Sequence, residues 1–368
     1  MNVLHLITSL SRGGAENHLT CLIRGQLTEN KKIYVIYLKG DGYWVNYLLS
    51  LNVVVIKLSF FNFFSQIKKV KEIVKKFKID IIHSHLPHME IIGYFALPNN
   101  TKTKFLITKH VDNDYLGGSN IKKKSLISSL ISYFIYKRAN NIIAISHSVK
   151  KFLIDSSFHN IKDKIRVVYY GLDDFYIQKC LTNNQKIFFK KNNELIFGFI
   201  GRLVKQKQVD KLILSFKEYI NETNINAKLI IAGSGPEKKN LLNYTKELQL
   251  ENKIIWLKFT DNVGAIFKEI DVFCINSLFE GLGLVMLEAM ANKKPIIGPN
   301  NSAISEVISD NKNGLLVKPN NIEDYKNAMI KMSDSNTRLR LSNNSLDYLK
   351  KNFDYQTMLN KINQAYNS

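Results

Sequence analysis

The segment Val272-Phe273-Cys274-Ile275-Asn276-Ser277-Leu278-Phe279-Glu280-Gly281-Leu282-Gly283-Leu284-Val285-Met286-Leu287-Glu288-Ala289-Met290-Ala291 decides how the rest of the chain is read. It opens on a short apolar run suited to a buried strand and crosses a loop carrying glycines at 281 and 283. It then enters a run of good helix formers. A strand, a glycine loop and a helix in that order make half of a βαβ unit. Upstream, strand-like runs at Leu195–Ile200, Ala227–Ala232 and Ile254–Leu257 alternate with helical patterns at Val209–Tyr219, at Lys238–Leu248 and from Val263. Downstream, Pro295–Ile297 reads as a strand, and the chain from Ile322 is helical in pattern, with breaks expected near Asp334 and Asn352.

The first half follows the same rhythm. Val3–Thr8, Lys32–Leu38, Val53–Leu58, Ile79–His83, Phe105–Thr108, Asn141–Ile145 and Arg166–Tyr169 read as strands, and Ala15–Glu29 and Gln66–Lys78 as helices. Strands separated by helices imply parallel sheets, so the fold class is α/β with doubly wound domains in tandem. The length, 368 residues, suits two such domains. Around Leu172–Asn193 the pattern dissolves into polar residues. The boundaries read from this are a first domain over 1–175, a linker over 176–193 and a second domain over 194–352.

Composition narrows the class. Hydrophobic residues make up 45% and charged residues 23%, which is the balance of a globular protein. No apolar run is long enough to span a bilayer. The start, Met1 to Ile7, reads as a buried strand rather than a secretory signal. Cys21, Cys180 and Cys274 are scattered without metal-site spacing, which points to a reducing, cytoplasmic setting. The formal net charge of +21 attracts anions. No nucleic-acid-binding signature accompanies it, so anionic lipid or phosphorylated sugar is the expected partner and nucleic acid is not.

In open α/β sheets ligands sit beyond the carboxyl ends of the strands. Gly201-Arg202-Leu203 and Lys207 follow the apolar strand ending at Ile200, where a guanidinium fork and an ammonium can meet phosphates. The same two cations would stabilise a departing pyrophosphate; a solvated basic loop is the alternative. Gly281 and Gly283 let the backbone approach a ligand, and the first-turn amides of the following helix suit an anion. Glu280, at the loop mouth, can accept from sugar hydroxyls, and Glu288, a turn into the helix, from a ribose.

The glutamate pair at 280 and 288 resembles the Glu-x7-Glu motif of glycosyltransferase family 4, which has the GT-B fold. Further motifs recur in family order: Gly13-Gly14-Ala15-Glu16, Asp80-Ile81-Ile82-His83-Ser84-His85, Ile143-Ala144-Ile145-Ser146, Val168-Tyr169-Tyr170-Gly171-Leu172-Asp173, Gly201-Arg202-Leu203 with Lys207, Gly233-Ser234-Gly235-Pro236-Glu237, and Gly314 to Pro319. The resemblance implies two Rossmann-like domains facing a central cleft, with a C-terminal helix at about 353–368 returning to the first domain. It also implies a nucleotide-diphosphate-sugar donor bound by the second domain. Arg202, Lys207, Gly14 and Leu284 would hold the diphosphate and Glu288 the ribose. Glu280, Leu282, Gly283 and His110 would contact the transferred sugar, with His110, Glu280, Arg202 and Lys207 at the reaction centre. One of His83 and His85 is expected to line the acceptor side and the other to pack; His88 receives no role.

Two departures from the family pattern stand out. Asn301-Ser302-Ala303-Ile304-Ser305-Glu306 lacks a customary glycine pair, and Lys258 replaces a common glycine before Phe259. With no carboxylate pair read as nucleophile and acid, no Asp-x-Asp metal motif read and no metal-ligand cluster read, the expectation is transfer with retained configuration and without metal or cofactor. The acceptor is expected to be a glycan or lipid-linked molecule of the cell envelope: a polysaccharide, lipopolysaccharide or glycolipid. Phe60-Phe61-Asn62-Phe63-Phe64, the lysines of Gln66–Lys78, and the basic stretches Ile121 to Lys124 and Tyr136 to Arg138 could touch an anionic membrane surface. The alternatives are another GT-B enzyme, such as a nucleotide-sugar epimerase, or a non-catalytic sugar-nucleotide or polyanion binder.

Overall fold

The computed structural model describes residues 1–58, 62–99, 102–110, 126–156, 160–181, 194–258 and 262–368. These divide into two compact units, Met1–Gly171 with Tyr355–Ser368, and Leu172–Asp354.

Unit 1 begins β1 (Asn2–Ser9), α1 (Gly14–Thr28), β2 (Lys32–Lys39), α2 (Val45–Ser50), β3 (Val54–Lys57) and α3 (Phe63–Lys76). It continues β4 (Ile81–His85), α4 (Pro87–Ala96), β5 (Lys104–Lys109), α5 (Leu126–Arg138), β6 (Asn141–Ala144), α6 (His147–Asp155) and β7 (Ile165–Val167). The sheet is parallel throughout, in the order β3-β2-β1-β4-β5-β6-β7. Strand order reverses between β1 and β4, and that pair sets His5 opposite His83 and Ile7 opposite His85. The strand read as Ile79–His83 in fact runs two residues later, which brings His85 into the sheet.

Unit 2 runs α7 (Asp174–Leu181), β8 (Leu195–Ile200), α8 (Val209–Glu222), β9 (Ala227–Ala232), α9 (Lys238–Glu247), β10 (Ile254–Leu257) and α10 (Val263–Glu269). Then come β11 (Val272–Cys274), α11 (Leu284–Ala291), β12 (Ile296–Pro299), α12 (Ile304–Val307), β13 (Gly314–Val317), α13 (Ile322–Lys331) and α14 (Ser335–Asn352). Its parallel order is β10-β9-β8-β11-β12-β13. Residues 176–181, read as the start of a linker, instead close α7, which packs on α10 and α11; residues 182–193 lie outside the described residues. The C-terminal helical pattern breaks where expected: the Asp334 carboxylate caps α14 and that helix ends at Asn352.

The last helix, α15 (Tyr355–Asn367), belongs to unit 1. It lies close along α1 because Gly25 has no side chain there; a Cβ would run into Leu359. Met358, Leu359, Ile362, Ala365 and Tyr366 enter the same core cluster as Leu19, Leu22 and Ile23. On α3, Ile67, Val70, Ile73 and Val74 are buried while Lys68, Lys69, Lys71, Lys75 and Lys76 point to solvent, so its apolar face serves the core. Cys21, Cys180 and Cys274 are buried and form no disulfide with one another.

Candidate functional site

In unit 2 the strand order reverses between β8 and β11, the place where open α/β sheets bind ligands. The loop after β8 carries Arg202, exposed, whose side chain has no hydrogen bond or ion pair among the described residues. Lys207 closes a short 3-10 turn and forms an ion pair with Glu280. Glu280 is 7% exposed. Its Oε1 also accepts from the Ser277 hydroxyl at 2.6 Å, leaving Oε2 without a partner among the described residues. The Leu278 N–H donates to the Gln206 carbonyl at 2.8 Å, and the Gln206 amide to the Phe279 carbonyl at 2.8 Å, which ties the two loops together.

Gly283 adopts φ +79 at the start of α11, a left-handed conformation that suits glycine, and no side chain caps that helix. The first amides of α11 therefore form an anion-seeking end. Leu282 and Leu284 flank this turn with buried side chains, so their backbone is what a ligand could meet. Glu288, a turn further on and buried, accepts from the Tyr176 hydroxyl at 2.6 Å. Tyr176 lies in the stretch read as linker, and no spacing signal could have paired residues this far apart in sequence.

The departure at Asn301-Ser302 has a structural account. Ser302 takes φ +45, a conformation for which glycine is favoured, and its hydroxyl accepts the Glu280 N–H at 3.0 Å. The Asn301 amide donates to the Leu278 carbonyl at 3.0 Å. Side-chain hydrogen bonds here offset the strain that glycine would avoid. Lys258 is exposed at the end of β10, and Phe259 lies outside the described residues.

Unit 1 brings a second set together. Gly13 and Gly14 open α1, where a Cβ on Gly13 would meet the Glu16 carboxylate; Glu16 in turn accepts from the Ser9 hydroxyl at 2.6 Å. His5, His18, His83, His85 and His110 are all buried, at 6% exposure or less. Of His83 and His85, one is expected to line the acceptor side and the other to pack; both side chains are fully buried on a sheet face that Gln26 of α1 and Tyr366 of α15 close over. His110 is held at both ring nitrogens, Nε2 to His85 at 3.0 Å and Nδ1 to the Tyr170 hydroxyl at 2.5 Å. Burial pushes His110 down to about 3 and His5 down to about 4, and holds His18, His83 and His85 well below the usual imidazole range. The neighbouring Lys109 adds to the effect on His110. Buried Lys109 and Glu90 pair at 3.0 Å; burial acts against the Lys109 charge, but Glu90 and Tyr136 outweigh it and raise that group. Leu86, next to His85, takes φ +73 and ψ 147, a strained conformation of the kind that collects at working sites.

The reading of no metal-ligand cluster is corrected in one respect, since His5, His83 and His85 offer nitrogens within 4.8 Å of one another. Sequence spacing could not show it, because β1 and β4 are distant along the chain. All six ring nitrogens of this trio are engaged, with Gln26, Tyr366, Thr108, His110 or one another. The cluster is closed by hydrogen bonds, and a cation would have to break them. The reading of no Asp-x-Asp motif is corrected by the sequence itself, which carries Asp112-Asn113-Asp114 just after His110; these residues lie outside the described ones. The basic run Ile121 to Lys124 and the aromatics Phe60 and Phe61 lie outside them too.

The profile described as Glycosyltransferase Family 4 matches residues 12–174, and the one described as Glycosyl transferases group 1 matches residues 182–347. The chain belongs to this glycosyltransferase family. It is 30% identical over 254 residues to an N-acetyl-alpha-D-glucosaminyl L-malate synthase of Bacillus anthracis, covering 67% of this chain and 64% of the relative. It is 26% identical over 306 residues to a UDP-Gal:alpha-D-GlcNAc-diphosphoundecaprenol alpha-1,3-galactosyltransferase of Escherichia coli, covering 80% and 77%. The crystal structure of Anabaena Alr3699/HepE in complex with UDP-glucose matches with TM-score 0.82 and 19% identity, over 99% of this chain and 98% of that one. That likeness identifies the fold of this family 4 chain as GT-B, the fold class expected from its sequence. Among the described residues no helix is long and apolar enough to cross a membrane.

Proposed function

We propose that this glycosyltransferase moves a hexose-type sugar, with retained configuration, from a uridine-diphosphate donor to a glycan or lipid-linked acceptor in cell-envelope polysaccharide, lipopolysaccharide or glycolipid synthesis. The observation carrying this reading is the cluster at the β8 and β11 ends: unpartnered Arg202, Lys207 beside Glu280, and the bare amides of α11 behind Gly283. Positive charge from two side chains and a helix end matches a diphosphate in the ground state and matches it better as the leaving group gains charge. Glu280 Oε2 would accept from a sugar hydroxyl and Glu288 from the ribose. Gly14 at the N-terminus of α1 would allow close approach to phosphate. His110 enters as a neutral, fixed ring contacting the sugar; with both nitrogens held, it is not a proton carrier. The charge on Arg202 and Lys207 makes a metal dispensable. The names of the Escherichia coli relative and the Anabaena complex support uridine as the base. The exposed lysines of α3 suit an anionic lipid surface near such an acceptor.

The test is nucleotide release from UDP-glucose and UDP-galactose with and without an undecaprenyl-diphosphate-linked sugar, in EDTA. Acceptor-dependent release and an α-linked product by NMR are expected. Arg202→Ala and Lys207→Ala should each lower turnover on the order of 10²–10³-fold with folding intact. Full turnover in both variants, or an inverted product, refutes the reading.

A further inference from the structure

A chain of neutral side chains runs through unit 1 and ends on His110. Gln26 Oε1 faces His5 Nε2 at 2.8 Å, and His5 Nδ1 faces His85 Nε2 at 3.1 Å. His85 Nδ1 faces His110 Nε2 at 3.0 Å, and His110 Nδ1 faces the Tyr170 hydroxyl at 2.5 Å. A branch leaves the other side of the same amide: Gln26 Nε2 donates to Tyr366 Oη at 2.8 Å, Tyr366 Oη meets His83 Nδ1 at 2.8 Å, and His83 Nε2 meets Thr108 Oγ1 at 2.7 Å. Every member is buried.

A neutral imidazole has one donor and one acceptor nitrogen, so each link fixes the next. Because the Gln26 oxygen can only accept, His5 carries its proton on Nε2 and offers Nδ1. His85 then donates from Nε2 into that lone pair, and His110 donates from Nε2 into His85 Nδ1. His110 Nδ1 is left as an acceptor, which the Tyr170 O–H fills. Along the branch, Tyr366 accepts from the Gln26 amide and donates to His83, which donates to Thr108. Reversing any link requires reversing all of them, with the Gln26 amide turned over. Protonating one ring in the middle creates two N–H groups facing each other across one link, which burial does not tolerate.

We propose that Gln26 is a positioning residue which, through His5 and His85, locks His110 in the neutral Nε2–H tautomer and holds its ring and the Tyr170 hydroxyl in register for the donor sugar. This rests on His110 meeting the sugar, as argued above. Neither end of the chain opens onto a proton source among its named members, so it sets polarity rather than conducting protons.

The experiment is long-range 1H–15N NMR on the histidine-labelled full chain, in which the unprotonated ring nitrogen resonates far downfield of the protonated one. In the wild type, His5, His85 and His110 should all show protonated Nε2. In Gln26→Met, similar in shape but unable to hydrogen-bond, His110 should show both tautomers, and turnover should fall on the order of ten- to a hundredfold with UDP affinity unchanged. Tyr170→Phe removes the far donor but keeps the anchor, so His110 should remain Nε2–H. A wild-type His110 protonated at Nδ1 overturns the proposal, and this needs no variant to fold. A single Nε2–H tautomer in Gln26→Met overturns it as well. If the tautomers behave as stated but the wild type releases no nucleotide with any acceptor, the functional reading fails and the lock stands.

Discussion

Mild acid should destabilise one half of this protein and spare the other. All eight histidines lie at or before residue 159, so residues 172–354 contain none. Buried neutral imidazole binds protons more weakly than exposed imidazole, so between pH 6.5 and the lowered folded values the unfolded chain takes up more protons. The sign follows: the contribution is fully present above pH 6.5 and is lost as pH falls toward about 4 for His5 and about 3 for His110. Taking the unfolded value as 6.5, the move from pH 7 to pH 5 costs about 2 kcal/mol for each of these two groups. His18, His83 and His85 shift in the same direction. A loss of about 4 kcal/mol is a large part of the ~5–15 kcal/mol that holds a typical domain. Hydrogen exchange by mass spectrometry at pH 7 and 5, corrected for intrinsic rates, resolves the units. Amides of β4 and β5 should exchange roughly a thousandfold faster at pH 5, while β8 and β9 hold their protection. Unit 2 contains no histidine, so this contribution is absent there. Equal loss of protection in both units, or none in β4 and β5, would refute the claim that the histidine cluster is buried and neutral.

Further perturbations test other parts of the structure. Glu90→Ala leaves the Lys109 ammonium buried without its carboxylate and should destabilise unit 1 by about 3–5 kcal/mol, read as a lowered urea midpoint of the Trp44 fluorescence. The paired change to Met at both positions should recover most of that loss. Glutamate at Lys68, Lys69, Lys75 and Lys76 should reduce co-sedimentation with anionic vesicles and leave stability within about 0.5 kcal/mol, because these side chains are exposed. Unchanged sedimentation would dispose of the membrane contact.

What was legible in the sequence was what depends on near neighbours. β9 and β10 coincide with the runs read from β-branched residues, and the loop to α11 was read from its glycines and the helix formers that follow. α4 escaped because hydropathy does not follow its faces: Glu90 and Gly93 lie on the buried side while Phe95 is exposed, so the sequence shows no clean apolar stripe. Residues 176–181 looked like linker because α7, at eight residues, is too short to show a helical period and runs straight into the polar stretch Thr182-Asn183-Asn184-Gln185-Lys186. The site divides in the same way. Glu280 and Glu288 share one loop and helix, so their spacing carries a signal. The partners that shape them, Tyr176, Ser277, Ser302 and Lys207, arrive mostly from elsewhere in the chain.

The histidine chain is the extreme case, and it shows what a parallel sheet does to sequence information. A hairpin would place partners close along the chain, within reach of a spacing rule. A parallel pair needs a crossover, and here the crossovers between β1 and β4 set His5 and the His85 ring it touches 80 positions apart. Once register sets His5 opposite His83 and Ile7 opposite His85, the same face of the sheet must also take Thr108 on β5, while Gln26 from α1 and Tyr366 from α15 close over it. Apolar side chains would pack that face at less risk, since a buried imidazole without a partner is costly. Satisfying these rings takes contributions from several strands, two helices and the loop at Tyr170, and the loss of one member leaves the next unpaired. Such a network holds only as a whole, which is why a change at Gln26 is expected to be felt at His110, three hydrogen-bonded links away.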